Sequence, residues 1–341
     1  MNQKHILNFM AGFCLASSLM LFIEYACSIH DAVKNNPTKL IDELSDEDGL
    51  SFFVENDSLH IFKEDSDIKH ALSDGSYDVL NRLLNNQYVK IESLRLVGLG
   101  EEIDFSKLDL SSISEIEFSS MKDNFDYLGV LNDGYSNISF SDVSFNDSLG
   151  EFLDYQNLYY SDIFVSDDGT DIVSYLSDEE KRFGTFSTNF YDGNNNLSSF
   201  IPSLCTKRVN LNYYYSSDES PIDISVLLND RVNEVNLEFS SIVDEQDFTL
   251  GTVEITGDNP ELEINISEDD SYCNLDIGTD TMFQVPDFSI VTLDNVTCSD
   301  SSAFSSLDNV SGLLYSDGEG SEIFYVDKES TNSKVKYLHR R

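Results

Sequence analysis

One pattern, apolar–x–apolar–x–x–apolar, recurs along this 341-residue chain and limits the folds open to it. It appears as Leu94/Leu96/Leu99, Ile116/Phe118/Met121, Ile138/Phe140/Val143 and Leu158/Tyr160/Ile163, with starts 22, 22 and 20 residues apart. It returns as Leu237/Phe239/Ile242 and Val291/Leu293/Val296, and more weakly at Val209/Leu211/Tyr214 and Val253/Ile255. Each copy opens as a strand that buries every second side chain. The linkers repeat as well. Ile103-Asp-Phe-Ser-Lys-Leu leads to Ser114-Glu-Ile-Glu-Phe, and Ile222-Asp-Ile-Ser-Val-Leu leads to Asn233-Glu-Val-Asn-Leu. These linkers lie 119 residues apart, five periods of nearly 24. One such unit cannot bury its own apolar face, whereas stacked neighbours make a continuous core.

In period and in its L-x-L strand, the stretch 91–320 resembles the leucine-rich repeat proteins, solenoids with repeats of roughly 20–29 residues. The match departs from the family where an Asn or Cys follows the strand: Leu99, Met121, Val143 and Ile163 stand there. The resemblance implies an α/β, β-rich fold, a leucine-rich-repeat-like solenoid with a parallel sheet after an N-terminal hydrophobic helix. A parallel β-helix with longer turns, and an antiparallel all-β sandwich, fit the same strand spacing as alternatives. The expected organisation is a leader over 1–28, a mixed α/β cap over 29–90, a repeat domain over 91–327 and a basic polar tail over 328–341. In the cap, Pro37–Leu44 reads as a short helix. Two strands flank Asn56-Asp57-Ser58, and Tyr77, Leu80, Leu83 and Leu84 share one helical face.

Lys4 and His5 precede an uncharged run from Ile6 to Ile23, and Ala26 and Ser28 are small residues suited to a cut after Ser28. This is the pattern of a signal peptide. Left uncleaved, residues 6–23 are just long enough to span a bilayer as an anchor. Lys4 on one side and the acidic chain on the other then put the body outside the cytoplasm.

Twenty Lys+Arg against 63 Asp+Glu give a formal net charge of -43, which repels phosphate backbones and anionic lipid surfaces. Nucleic acid is therefore not an expected partner, and a membrane is one only through an uncleaved leader. The histidines outside the leader, His30, His60, His70 and His339, lie outside the repeats, so no scaffold-held base serves a Ser or Cys nucleophile. No His pair has metal-ligand spacing and no CxxC occurs. Val97-Gly98-Leu99-Gly100 lacks the third glycine of a dinucleotide loop. Acidic turns at Asp46–Gly49, Asp167–Asp171 and Glu268–Asp270 offer oxygens to calcium without the spacing of a known calcium loop. We expect no catalysis, no cofactor and no metal. Cys273 and Cys298 lie 25 residues apart, near one repeat, and are the candidate disulfide.

The expected function is that of a secreted or surface-exposed repeat protein that binds a protein partner through its strand face. A structural coat component without a discrete ligand is the alternative. The outward positions of the strands nominate Arg95, Glu117, Ser139, Tyr159, Asn210, Asn236 and Thr292 as the binding face.

Overall fold

The computed structural model describes residues 35–316 except 45–48, 64–71, 167–169, 178–180, 192–200, 216–220, 242–245, 258, 260 and 269–272, together with 323–325 and 336–338. The expected leader with its hydrophobic helix, and most of the expected basic tail, fall outside the described residues. Among those described, no helix is long and apolar enough to cross a membrane.

The chain begins with α1 (Pro37–Leu44), β1 (Leu50–Glu55), β2 (Ser58–Lys63) and α2 (Asp74–Leu84). Asn56 and Asp57 both take positive φ, 47° and 65°, which gives the two-residue hairpin turn whose twist suits its strands. The Ser73 side chain caps α2 by accepting from Ser76 N, and Tyr77, Leu80, Leu83 and Leu84 form the buried stripe of the helix.

The repeats follow as β3 (Ser93–Val97), β4 (Glu115–Ser119), β5 (Asn137–Ser141), α3 (Asp147–Tyr155), β6 (Asp162–Ser166), α4 (Thr170–Leu176), β7 (Phe183–Tyr191) and β8 (Thr206–Tyr215). After them come β9 (Ile222–Leu227), β10 (Glu234–Ser241), β11 (Gln246–Thr256), β12 (Glu263–Glu268), β13 (Cys273–Gln284), β14 (Ile290–Asp294), β15 (Thr297–Cys298) and β16 (Gly312–Tyr315). A small hairpin, β17 (Ile323–Tyr325) with β18 (Lys336–Leu338), ends the described chain. The protein is thus α/β and β-rich. A twelve-stranded sheet runs β1 to β8 and then β10, β12, β14 and β16, and all its pairs are parallel except β1–β2. Strands β9, β11, β13 and β15 form a second parallel sheet, so from β8 onward the chain passes alternately between two sheets. The antiparallel sandwich weighed from strand spacing is not the arrangement adopted.

The large sheet is held in lateral register by its apolar residues. Leu94, Ile116, Ile138, Ile163, Phe186, Val209, Val235, Ile264, Val291 and Leu313 lie side by side, all buried. A second buried row begins Leu96, Phe118, Phe140 and Val165, two residues further along each strand. Three expected repeat positions move. Leu158–Tyr160 forms a 3-10 turn, and the strand is Asp162–Ser166. The reason is α3, capped by Asn146, which occupies the extra chain between β5 and β6 and buries Leu149, Phe152 and Leu153. In β10 the register pair is Val235/Leu237 rather than Leu237/Phe239. Val253 and Ile255 belong to β11 in the second sheet.

An asparagine does recur, but before the strand instead of after it. Asn132, Asn229 and Asn259 each accept, through Oδ1, the backbone N–H two residues on, from Gly134, Arg231 and Glu261 at 3.1, 2.9 and 3.0 Å. Their amide nitrogens donate one repeat back: Asn132 to Ile113 O at 2.6 Å, Asn229 to Leu204 O at 2.6 Å and Asn259 to Val232 O at 2.9 Å. At the other end of the strands, Gly98, Ser120 and Asp142 take positive φ of 68°, 48° and 51°, one residue after β3, β4 and β5. The first glycine of the G-x-G is therefore a repeat corner. Only glycine makes that corner without steric cost.

The expected disulfide does not form. Cys298 is a free thiol whose register partner is Ile277, four residues beyond Cys273 along β13. Four residues of strand span roughly 13 Å, whereas a bridge needs Cα atoms within about 7 Å. The spacing of 25 residues matched the repeat length but not this register of 21.

Phe118 is the hub of the core's first half. Its ring meets those of Tyr127, Phe140, Phe152 and Phe125 at 5.1, 5.5, 5.7 and 5.9 Å. It thereby joins two strands to the 3-10 turn at Tyr127–Val130 and to α3. Truncation to Ala leaves a cavity bounded by four rings that cannot all move. Phe118→Ala is expected to lower unfolding free energy by about 3–5 kcal/mol, read from urea denaturation; a loss under about 1 kcal/mol would mean that the ring is not load-sharing in this way.

Candidate functional site

Parallel sheets are normally covered on both faces. Here one face of the large sheet packs on the core, and the opposite face carries polar, partly exposed side chains. Its central row, read across the register, is His60, Arg95, Glu117, Ser139, Phe164, Ser187, Asn210, Asn236, Asn265, Thr292 and Leu314. At the usual strand separation this row is roughly 48 Å long.

Six of the seven residues nominated from the sequence stand in this row: Arg95, Glu117, Ser139, Asn210, Asn236 and Thr292. Tyr159 does not. It sits in the 3-10 turn before β6, and Phe164 takes the place assigned to it. His60, Ser187, Asn265 and Leu314 were not nominated. The motif Asn-x-x-apolar, seen at Asn132/Tyr135, Asn229/Val232 and Asn259/Leu262, marks the approach to β5, β10 and β12 and was the available signal for Asn265.

The row divides into three chemical zones. At the first, Arg95 Nε lies 3.0 Å from Glu117 Oε1. His60 stacks on Phe53 across the hairpin, ring centroids 4.2 Å apart, with Phe62 5.0 Å from Phe53. Burial, and then the Arg95 guanidinium, push the His60 pKa below its ordinary value against the opposing pull of Glu55, so the neutral imidazole is favoured.

The middle zone is a shallow cleft of about 240 Å³ with the half-buried Phe164 among Ser139, Ser187, Glu117 and Asp162. The third zone is a ladder of side-chain amides. Asn210 Nδ2 donates to Ser187 Oγ at 3.0 Å, Asn236 Nδ2 to Asn210 Oδ1 at 2.7 Å, and Asn265 Nδ2 to Asn236 Oδ1 at 2.7 Å. A shorter rung beside it joins Asn212 to Asn189 at 3.0 Å. An amide has two donors and an acceptor oxygen with two lone pairs. Asn236 gives its second donor to Glu234 Oε1 at 3.2 Å, while Asn210 and Asn265 each use one donor in the ladder. Tyr191 and Tyr214 stack at 5.1 Å along the C-terminal edge of the same face.

Metal chemistry has no visible seat: among the described residues, no three His, Cys, Asp or Glu side chains gather around one point. Of the acidic turns considered for calcium, Asp46–Gly49 and Asp167–Asp171 fall largely outside the described residues. Glu268 is buried and accepts Leu275 N at 2.8 Å, a structural bond.

The His60 shift predicts a pH dependence. A lowered folded pKa means that the unfolded chain binds the proton first. The contribution of His60 to stability is full above the unfolded value near 6.5 and is lost as pH falls from there through the lowered folded value. His60→Phe keeps the stack and removes the proton. Urea midpoints at pH 7.5 and 5.5 should fall further for the wild type than for the variant; an equal fall in both rules His60 out. Comparison with family models, with curated proteins and with solved structures finds no match to this chain.

Proposed function

We propose that this chain is a leucine-rich-repeat-like solenoid, exported by its N-terminal segment, that binds a protein partner along the open face of its large sheet. The observation that carries the reading is the face itself. Eleven positions, one on each of eleven neighbouring strands, align with no covering layer among the described residues, and the face presents Phe164, the Asn210–Asn236–Asn265 ladder and the Tyr191–Tyr214 stack. Extended surfaces of this sort are what stacked repeats offer a partner. The solenoid reading is supported by consecutive strands in register and by returns that lie on one side of the sheet: helices and 3-10 turns between β3 and β7, a second sheet from β9 onward. Residues 6–23 support export.

The leftover amide hydrogen-bonding groups resemble those of a strand edge and suit an extended peptide or a loop. The half-buried Phe164 supplies the apolar anchor beside them. No catalytic step is part of this reading.

Two measurements test it. The mature N-terminus of the native protein, determined in fractionated cells, is expected at Ile29 in a soluble extracellular or wall fraction, or at Met1 in a membrane fraction. Met1 in soluble cytoplasm overturns export. A photo-cross-linking residue at Ser187 or Asn236 is expected to join one discrete extracellular protein, whereas the same residue at the exposed Glu151 on α3 does not. Equal labelling from all three positions removes the face as the binding surface.

A further inference from the structure

Between Lys122 and Lys328 the chain has only five basic residues: Lys181, Arg182, Lys207, Arg208 and Arg231. In a molecule of net charge -43 they would be expected to scatter among carboxylates. Instead the fold gathers them at the N-terminal ends of β7, β8 and β10. Phe183, next to Arg182, pairs with Thr206, next to Lys207, and Arg208 pairs with Glu234.

A cleft of about 810 Å³ opens at this end of the sheet, on the side of α3 and α4. That volume is in the usual range for a small-molecule site, roughly 300–1,000 Å³. Lys181, Arg182, Gln156, Tyr159 and Tyr175 line it. Lys181 is held in place: its ammonium lies 3.8 Å from the centre of the Tyr175 ring and 3.5 Å from Asp154 Oδ1. Arg182 is exposed and has no ion-pair partner among the described residues. Tyr159 is half exposed, and Lys207 lies 5.9 Å from its ring centre.

A second, independent observation points to a missing acceptor. Gln156, the residue that ends α3, is only 8% exposed, yet its amide nitrogen has no hydrogen-bond partner. An unsatisfied buried donor costs about 1–3 kcal/mol, and such exceptions call for an explanation. Gln156 lines the cleft, and a ligand oxygen supplies the partner when the amide turns its nitrogen toward the opening.

We propose that this cleft binds a small organic anion carrying a flat ring, its carboxylate or phosphate taken by Arg182 and the Gln156 amide and its ring laid on Tyr159. The forked guanidinium matches either oxyanion. Asp154 is a carboxylate of the cleft wall, and its pairing with Lys181 offsets its charge; carboxylates farther off oppose entry only weakly at physiological salt, where the screening length is about 8 Å. This site is separate from the open face and does not depend on the protein-binding reading.

The test is calorimetric titration of the full chain at physiological salt with phenyl phosphate, benzoate, inorganic phosphate and phenol. Phenyl phosphate or benzoate is expected to bind one to one, more tightly than inorganic phosphate or phenol; the two aryl anions decide between phosphate and carboxylate. Arg182→Ala should weaken the aryl anion about tenfold, the loss of one charge-assisted hydrogen bond or slightly more. Gln156→Leu should weaken it as well while leaving the urea midpoint unchanged or raised, since the variant removes an unpartnered donor. Tyr159→Ala should weaken phenyl phosphate and spare inorganic phosphate. The proposal fails if neither aryl anion binds at millimolar concentration, if Arg182→Ala and Gln156→Leu leave affinity unchanged, or if Lys90→Ala, at an exposed lysine ahead of β3, lowers it as much as Arg182→Ala.

Discussion

The structure depends on lateral register. Outside β7, β8 and β10, the strands of the large sheet are four to six residues long and bury two or three side chains each, too little to hold a strand alone. Alignment makes them sufficient: Leu94 lies beside Ile116, Ile116 beside Ile138, and the row continues to Leu313. A slip of one residue would turn the whole apolar set to solvent and its polar neighbours to the core. The same constraint creates the open face, because the residues between two buried positions must also align. Arg95 meets Glu117, and Asn210 meets Asn236, because Leu94 and Val209 are already fixed.

Turns that reach back one repeat reinforce the register. The Asn132, Asn229 and Asn259 amides each satisfy a carbonyl of the preceding unit while closing their own turn, so neighbouring repeats share hydrogen bonds that neither could make alone. What lies behind the sheet is freer. Between β3 and β7 the space is filled by 3-10 turns, α3, α4 and the rings around Phe118. From β9 onward it is filled by a second parallel sheet, with Tyr215 meeting Phe248 across the core at 5.5 Å. Helix and strand returns are both compatible with one front sheet because its inner surface is apolar throughout.

This difference explains what the sequence disclosed. The hairpin at Asn56-Asp57, the α2 stripe and the buried pairs of β3, β4, β5, β8 and β14 were legible, since each is a local period with a matching turn. The phase of β6 was not. Leu158/Tyr160 and Ile163/Val165 are equally good alternations, and only the packing of α3 decides between them. The sheet to which a strand belongs was not legible either, because Val253/Ile255 in the rear sheet and Ile264/Ile266 in the front one share the same pattern. On the face, residues adjacent to clear apolar pairs were found, and Phe164, Ser187 and Asn265 were missed because their strands follow longer or altered returns. The Cys273–Cys298 pairing failed for the same reason: a repeat length measured in sequence does not give the offset between two particular strands.

Charge is distributed according to whether a partner is within reach. Where carboxylates are buried, the protein supplies donors. Burial pushes the Glu102 pKa up, but hydrogen bonds from Lys63 and from Gly100 N outweigh it and hold the group below its ordinary value. That ion pair ties the β1–β2 hairpin to the first repeat across 39 residues of sequence. Most of the remaining acids have no cation to meet, because 63 of them face only 20 basic residues. They stay on the solvated surface, where repulsion is screened. The middle of the open face is different in kind. From Ser187 to Thr292 its central row carries no charged side chain, and amides bond to amides across three strands and to the Ser187 hydroxyl on a fourth. The uncharged row is narrow: Glu234 and Glu238 stand two residues to either side of Asn236 on the same face, and Glu234 Oε1 accepts from Asn236 Nδ2 at 3.2 Å, so register confines the amides to a single file between carboxylates.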